Sequence, residues 1–521
     1  MPSYLTPGVY VEEVASSSGT LTAGATAIAA FVGFTEKAPN DDPSDPEGVK
    51  PRLVTNWTQF EKLYGGFIAG AMLPLSVYGY FNNGGSMAYI VRIPHTEPAD
   101  EPGQLGLTSG DRALGPAVEF TTTESNASIT VSISPEPAAD GAGDDALPTF
   151  EVVISEDGDS EPETYTGVTL GGIGDSINGT STKVKVETKI DLDQLAADLQ
   201  TMPTGTFAVE KAAPIPVSVP GKAFNGSESA RTGISGLSIA EDVTMVMVPD
   251  LITAATKDDG TVDLGMWKSV QLALINHCEG QGNRMAVLDA PPAMSPQQVK
   301  EWRSEQAMYD SAFAALYYPW INVDNPSGTN GNTTINVPPS GHMAGVWARV
   351  DNERGVWKAP ANEIVRGALN VETNINKAEQ GLLNPIGVNC IRPFGTQGIR
   401  IWGARTLSSN TDWTYINVRR LFNTVETAIM TGTQFAVFEP NDQKLWEGLK
   451  RTVNSFLRGL WRDGALFGAS AEQAFYVKCD EETNPPDSID AGKVIVEVGI
   501  APVKPAEFVI FRIAQIKDDG E

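Results

Sequence analysis

Apolar residues along this chain change period several times, and each change marks an element. ATAIAAFVGFTEKAP is continuously apolar before its turn and predicts a buried strand. NWTQFEKLY predicts a short helix capped near Asn56 or Thr58, and LPLSVYGYFNNGG a second helix closed by Asn-Gly-Gly. MAYIVRI predicts a strand, after which this α/β pattern stops near Pro94. From about Thr96 to Ser229 the period falls to two. SITVSISPEP, FEVVISED and KVKVETKI alternate apolar and polar positions between Gly/Asp/Pro-rich turns, which predicts an inserted antiparallel β domain with one solvated face.

Continuous apolar runs return at VTMVMVPDL, RMAVLDAP and AALYYPWINV, each predicting a strand. Between them lie the helical patterns LGMWKSVQLALINHCEG and SPQQVKEWRSEQ, the latter with Ser295 at the cap and Pro296 at the first helical position. Strand–helix–strand repetition implies a mostly parallel sheet. Further on, VETNINKAEQGLLNPIGVNCIRPF predicts a helix passing into a strand. INVRRLFNTVETAIMTG and DQKLWEGLKRTVNSFLRGLWRDG predict long helices. In the second of these, Trp446, Leu449, Val453, Leu457 and Leu460 form one stripe, while Lys444, Lys450, Arg451, Arg458 and Arg462 lie off it. KVIVEVG and AEFVIFRIAQI predict two final strands.

The beginning of the chain, MPSYLTPGVYVEEV, also reads as a strand. The turn signal Thr6-Pro7-Gly8 precedes Val9, Tyr10 and Val11, and a flexible Ser/Gly run follows Glu12 and Glu13. Such a strand on a loose tether needs an edge to pair with, in this chain or in another copy. The apolar run around Phe508–Ile513 raises the same demand, because unpaired it is an aggregation hazard.

Composition narrows the function. A length of 521 residues suggests roughly two to four domains. The net charge of −28 argues against nucleic-acid binding and against docking on anionic membranes. Residues 97–190 hold eighteen Asp/Glu against four Lys/Arg, so half of that excess falls in a strongly solvated stretch. The three cysteines, Cys278, Cys390 and Cys479, are far apart and predict no disulfide framework. No signal peptide, lipidation motif or bilayer-spanning run is legible, so synthesis in the cytoplasm is expected.

Catalytic signals are weak. No phosphate-binding loop occurs, and GGIGDSING is an incomplete dinucleotide fingerprint among acidic segments. His95, His277 and His342 form no metal pair, and no cofactor, metal or catalytic residue is expected. His277 adjoins Cys278 but would point elsewhere on a helix. His342 lies in PPSGHMAGVWARVD, read as a Gly-rich loop without a nucleophile elbow. The acidic run EDGDSEPE lacks calcium-loop spacing.

Several long segments together resemble the sheath proteins of contractile phage tails and related injection systems. They are TPGVYVEEV, ATAIAAFVGFTEKAP, PPSGHMAGVWARVDNERGVWKAPANE, LNPIGVNCIRPFGTQGIRIWGARTLSS, WTYINVRRLFNTVETAI and VEVGIAPVKPAEFVIFRIAQ. The resemblance covers the first hundred residues and nearly everything after about residue 240.

It implies a multi-domain α/β (α+β) fold with an inserted antiparallel β domain, divided as follows. Residues 1–20 are an N-terminal linker arm, 21–95 the first part of the core, and 96–229 the outer insertion. Residues 230–340 are an α/β sheath domain, 341–500 an inner, tube-facing domain, and 501–521 a C-terminal linker strand.

The implied function is structural: stacked six-subunit rings around an inner tube, contracting to drive that tube through a target envelope. Val9, Tyr10, Val11 and Glu12 would form one inter-subunit linker strand, and Phe508, Val509, Ile510, Phe511 and Ile513 the other. Lys444, Lys450, Arg451, Arg458 and Arg462 would face the tube. Implied partners are further copies, the inner tube, and baseplate and terminator proteins, with no nucleic acid and no membrane insertion. The implied setting is assembly in a bacterial cytoplasm, with release on lysis. Two other readings are an α/β hydrolase on residues 240–325 using His342 or Cys278, and a capsid or surface-layer protein.

Overall fold

The computed structural model describes residues 21–512 except 22–25, 40–45, 69, 95–103, 108–117, 124–128, 138–146, 157–160, 190–200, 210–218, 258 and 327–332. The chain divides into two compact units. One comprises residues 1–67, 71–94 and 218–521, and the other residues 68–70 and 95–217.

The larger unit is built on an eight-stranded sheet. Its order is Ile399–Ile401, Val388–Pro393, Ala314–Tyr318, Met285–Asp289, Met245–Met247, Ala29–Gly33, Ala88–Arg92 and Arg52–Val54. The six inner strands run parallel and the two edge strands antiparallel. Every residue of Ala29–Gly33, Met285–Asp289 and Ala314–Tyr318 is buried. That explains why, apart from Asp289, their sequences run apolar rather than alternating.

Helices Leu73–Asn83 and Ser340–Arg354 pack closely together against this core. Their approach depends on glycine, since a Cβ at Gly341 or Gly345 would overlap the backbone at Ser76 or Tyr80. This corrects the reading of PPSGHMAG as a loop. Its glycines serve close helix packing, and His342 is a buried helical residue. AALYYPWINV is likewise two strands rather than one. It breaks at the cis Tyr318–Pro319 bond and resumes as Ile321–Asp324 in a separate three-stranded sheet.

The chain first adds Ala88–Arg92 on one side of Ala29–Gly33 and later Met245–Met247 on the other. In doubly wound sheets the crevice at such a switch point commonly receives a ligand, with phosphate at a helix N-terminus. Here the chain fills it with its own Asp250. That buried carboxylate accepts from the backbone N–H of Phe34 at 2.6 Å, of Leu73 at 3.2 Å and of Met72. A Cβ at Gly33 would overlap it. Burial pushes the acid up to about 7, against the pull of those three donors. Asp250→Ala removes the acceptor of three backbone donors, two of them in buried bonds, so a loss of about 3 kcal/mol in chemical-denaturation stability is expected.

A second apolar cluster joins helices Ile416–Gly432 and Gln443–Arg462 through Leu421, Val425, Val453, Leu457 and Leu460, and it includes Leu21. A buried ion pair also ties Ile416–Gly432 to Ser340–Arg354. Arg420 donates to Asp351 from Nη1 and Nη2, at 2.8 and 2.5 Å, and its guanidinium lies over the Trp347 ring.

The smaller unit is antiparallel. A four-stranded sheet runs Gly205–Val209, Ile129–Pro135, Phe150–Glu156, Glu163–Val168, and a three-stranded one Gln104–Leu107, Val118–Thr122, Val184–Thr188. Alternate residues such as Val131, Ile133, Val152 and Ile154 fill its own core. GGIGDSING contributes the short helix Ile173–Asn178, packed through Ile173 and Ile177.

Candidate assembly site

Three features of the larger unit could join this chain to others: its C-terminal end, a two-stranded sheet, and the helix Gln443–Arg462. The C-terminal end is rooted at Glu507. Its carboxylate receives Arg405 Nη2 at 2.6 Å, Arg405 Nε at 2.9 Å, Asn384 Nδ2 at 2.7 Å and the Tyr415 hydroxyl at 3.1 Å. Burial raises the acid's pKa, but the Arg405 and Asn384 bonds, the Arg405 charge and the Tyr415 bond outweigh it and hold the group below its ordinary value. A groove of about 1120 Å³ lies alongside, lined by Trp357, Lys377, Arg392, Trp402 and the segment Val503 to Val509.

Immediately beyond this root the character reverses. Phe508, Val509, Ile510 and Phe511 are 70% to 84% exposed and form no strand within the chain. The expected final strand is therefore absent as far as Arg512. Within its own subunit the run pairs with neither open edge of a sheet and stands in solvent. Ile513 and the N-terminal Val9, Tyr10, Val11 and Glu12 lie outside the described residues. The first described residue, Leu21, packs in the cluster of Val453 and Leu457.

Neutralising Glu507 should loosen the root. Glu507→Gln is expected to speed hydrogen exchange across 504–507 by about tenfold, since bonds to charged groups contribute about 1.5–3 kcal/mol. Because the folded acid is depressed, its contribution is fully present above the ordinary glutamate pKa. It should disappear as the pH falls through the lower folded value, and the same exchange measurement in acid checks this.

The small sheet pairs Phe475–Lys478 with Glu497–Ile500 in antiparallel register, from Phe475 opposite Ile500 to Lys478 opposite Glu497. Among the described residues no third strand joins either edge. Isolated two-stranded sheets are marginal in water. This one is held from beneath, where Phe475 enters the apolar cluster, while Tyr476 is exposed.

Helix Gln443–Arg462 begins at Asp442, whose side chain accepts from the N–H of Leu445 at 2.9 Å. It buries the stripe Trp446, Leu449, Val453, Leu457 and Leu460, together with Thr452. At 100° per residue, Lys444, Arg451, Arg458 and Arg462 fall within about 40° of one another, and all four are exposed. Lys450 stands apart, about 100° from the middle of that line and bonded to Glu447 at 2.8 Å. Four of the five cations thus share one face, and the fifth is turned aside by its own helix.

The histidines and cysteines considered for catalysis are packing groups where described. Cys278 is wholly buried and its thiol is pushed up to about 12. His277 Nε2 lies 3.2 Å from Arg284 Nη1, and burial together with the Arg284 charge pushes it down to about 4. Burial likewise pushes His342 down to about 4, and its Nδ1 has no partner. Among the described residues, no group of three or more His, Cys, Asp or Glu could hold a metal ion, and no helix is long and apolar enough to cross a membrane.

An exposed apolar run and a two-stranded sheet with unpaired edges are the features through which a chain joins other chains. Comparison with known proteins says which family this one belongs to. Residues 240–407 match the phage tail sheath protein central domain, and residues 408–516 the phage tail sheath C-terminal domain. The chain belongs to the contractile tail sheath family.

Relatives include the tail sheath proteins of Vibrio phage KVP40, 27% identical over 36% of this chain and 27% of that one, and of Burkholderia phage BcepMu, 30% identical over 35% and 38%. The sheath protein of Escherichia phage P2 is 23% identical over 54% of this chain and 66% of its own. The matched region spans about a quarter to a half of the first of these relatives.

Two solved structures share the fold along nearly all of both chains. The contracted sheath complex of the PVC extracellular contractile injection system gives a TM-score of 0.58 at 24% identity, covering 99% of each chain. The contracted helical sheath of the anti-feeding prophage gives 0.57 at 24% identity, covering 99% of this chain and 100% of that one.

The sequence alone missed the anchoring of Glu507 by residues up to 123 positions away. The only local signal was one acid placed directly before an apolar run.

Proposed function

We propose that this chain is the structural subunit of a contractile sheath, assembling as stacked hexameric rings around an inner tube and contracting to drive the tube through a target envelope. The observation that carries the reading is the exposed Phe508–Phe511 run, rooted at Glu507 in a chain of this family. Strand addition would pair its backbone with an open sheet edge, and main-chain bonds and alternate side chains would hold it. The receiving edges are those of Phe475–Lys478 and Glu497–Ile500 on neighbouring subunits. One is taken by Phe508, Val509, Ile510, Phe511 and Ile513, the other by Val9, Tyr10, Val11 and Glu12 of another copy. Head-to-tail contacts of this kind propagate into rings and helices.

The exposed cations Lys444, Arg451, Arg458 and Arg462 face the inner tube, with Lys450 at the margin. The acidic, separately folded unit within 96–229 is the outer insertion. Baseplate and terminator proteins cap the assembly, which forms in the bacterial cytoplasm and is released on lysis. The mechanism is structural and uses no cofactor.

Electron microscopy of the chain co-expressed with its tube protein tests the reading. Sheathed tubes in a long and a short state are expected. Discrete monomers, flat lattices or closed shells would overturn it.

A further inference from the structure

The loop between the two long C-terminal helices holds a residue that the fold does not use. Phe438 is fully exposed, and its backbone lies in the left-handed region at φ 68°. Glycine or asparagine suits that region, whereas a bulky aromatic there is strained. Asparagine or glycine at 438 would relieve both the strain and the exposure, so phenylalanine disfavours the isolated subunit twice over.

The loop is nonetheless firmly held. Ala436 N–H donates to Thr433 O at 2.9 Å, and Val437 N–H to Gln434 O at 3.2 Å. The Trp446 indole donates to Asn441 Oδ1 at 2.8 Å, and Asn441 Nδ2 to Lys493 O at 2.9 Å. Val437 is exposed as well, so two successive apolar side chains form a small patch on this held loop. A preorganised exposed aromatic is the usual anchor of a protein interface, because little ordering is left to do on binding.

The position of the loop indicates the partner. Phe438 and Asp442 are four positions apart, at most about 14 Å of chain, and Lys444 lies in the first turn beyond. The patch therefore adjoins the near end of the line of exposed cations. We propose that Phe438 is an apolar anchor for the inner tube, inserting into a recess on an acidic protein surface whose carboxylates meet Lys444, Arg451, Arg458 and Arg462. The inference rests on the reading of that helix as the tube face. It adds a short-range, salt-insensitive contact to a long-range electrostatic one.

The test uses the full chain and preformed tubes of the tube protein, with co-sedimentation at low and at physiological salt. Thermal unfolding and tube-free sheath assembly are followed alongside. Phe438→Asn should keep or raise the unfolding midpoint and leave tube-free assembly intact, yet weaken tube binding by about tenfold at both salt concentrations. Phe438→Met, which keeps an apolar side chain, should bind within about threefold of the natural chain.

Unchanged binding by Phe438→Asn, with binding lost in an Arg451→Glu/Arg458→Glu chain, overturns the anchor and leaves the tube face standing. Unchanged binding in both overturns the tube face and the anchor together. Loss of tube-free assembly in Phe438→Asn would place the ring in a joint between sheath subunits, and that also overturns the proposal.

Discussion

A chain ending at Glu507 is expected to fold normally and fail to form sheath. Phe508 to Phe511 are largely exposed and outside every core cluster, so removing them takes little from the subunit's own packing. The change in unfolding free energy should stay within about 0.5 kcal/mol, the range of surface substitutions. The inter-subunit cost is far larger, because a whole strand is lost at every joint of a repeating lattice. Deleting residues 1–14 should have the same outcome through the other edge. Thermal unfolding paired with analytical ultracentrifugation separates the two effects. Contractile particles of normal appearance from either truncated chain would show that the ends are not linkers.

Reversing charge at Arg451 and Arg458 should abolish assembly on the tube while sparing contacts between sheath subunits. These two side chains lie one above the other at a seven-residue spacing and are exposed, so the subunit itself should be little affected. Across an interface, like charges brought together cost several kcal/mol, and the loss should lessen as salt rises. Lys450→Glu should do much less. Its ammonium already holds Glu447 at 2.8 Å, and an exposed pair of that spacing contributes about 0.5 kcal/mol or less. Equal effects from Lys450 and from the Arg451/Arg458 pair would mean that the line of four cations has no special role.

Much of the architecture was legible because its signals are local. The unbroken apolar runs at 29–33, 285–288 and 314–318 reappear in fully buried parallel strands. The three-and-four spacing from Trp446 to Leu460 reappears as one buried stripe. Asn56 and Ser295 cap the helices they precede.

Other features depend on distant neighbours and left little trace. PPSGHMAG has loop composition, yet its glycines are there to let Ser340–Arg354 approach Leu73–Asn83. The strain at Phe438 belongs to the backbone and has no signature in residue type. The root at Glu507 joins Asn384, Arg405 and Tyr415, which no periodicity connects. The apolar end was legible as strand-forming. Its exposure is a matter of tertiary placement, since within its own subunit it pairs with no strand as far as Arg512.

In the assembled sheath this exposed end is expected to complete a sheet on a neighbouring copy. A reconstruction of the assembled sheath by electron cryo-microscopy tests it most directly. Four strands are expected where the isolated chain has two. Phe508–Ile513 of one neighbour and Val9–Glu12 of another should flank Phe475–Lys478 and Glu497–Ile500. A sheath in which that sheet remains two-stranded, with both chain ends folded onto their own subunit, would contradict it.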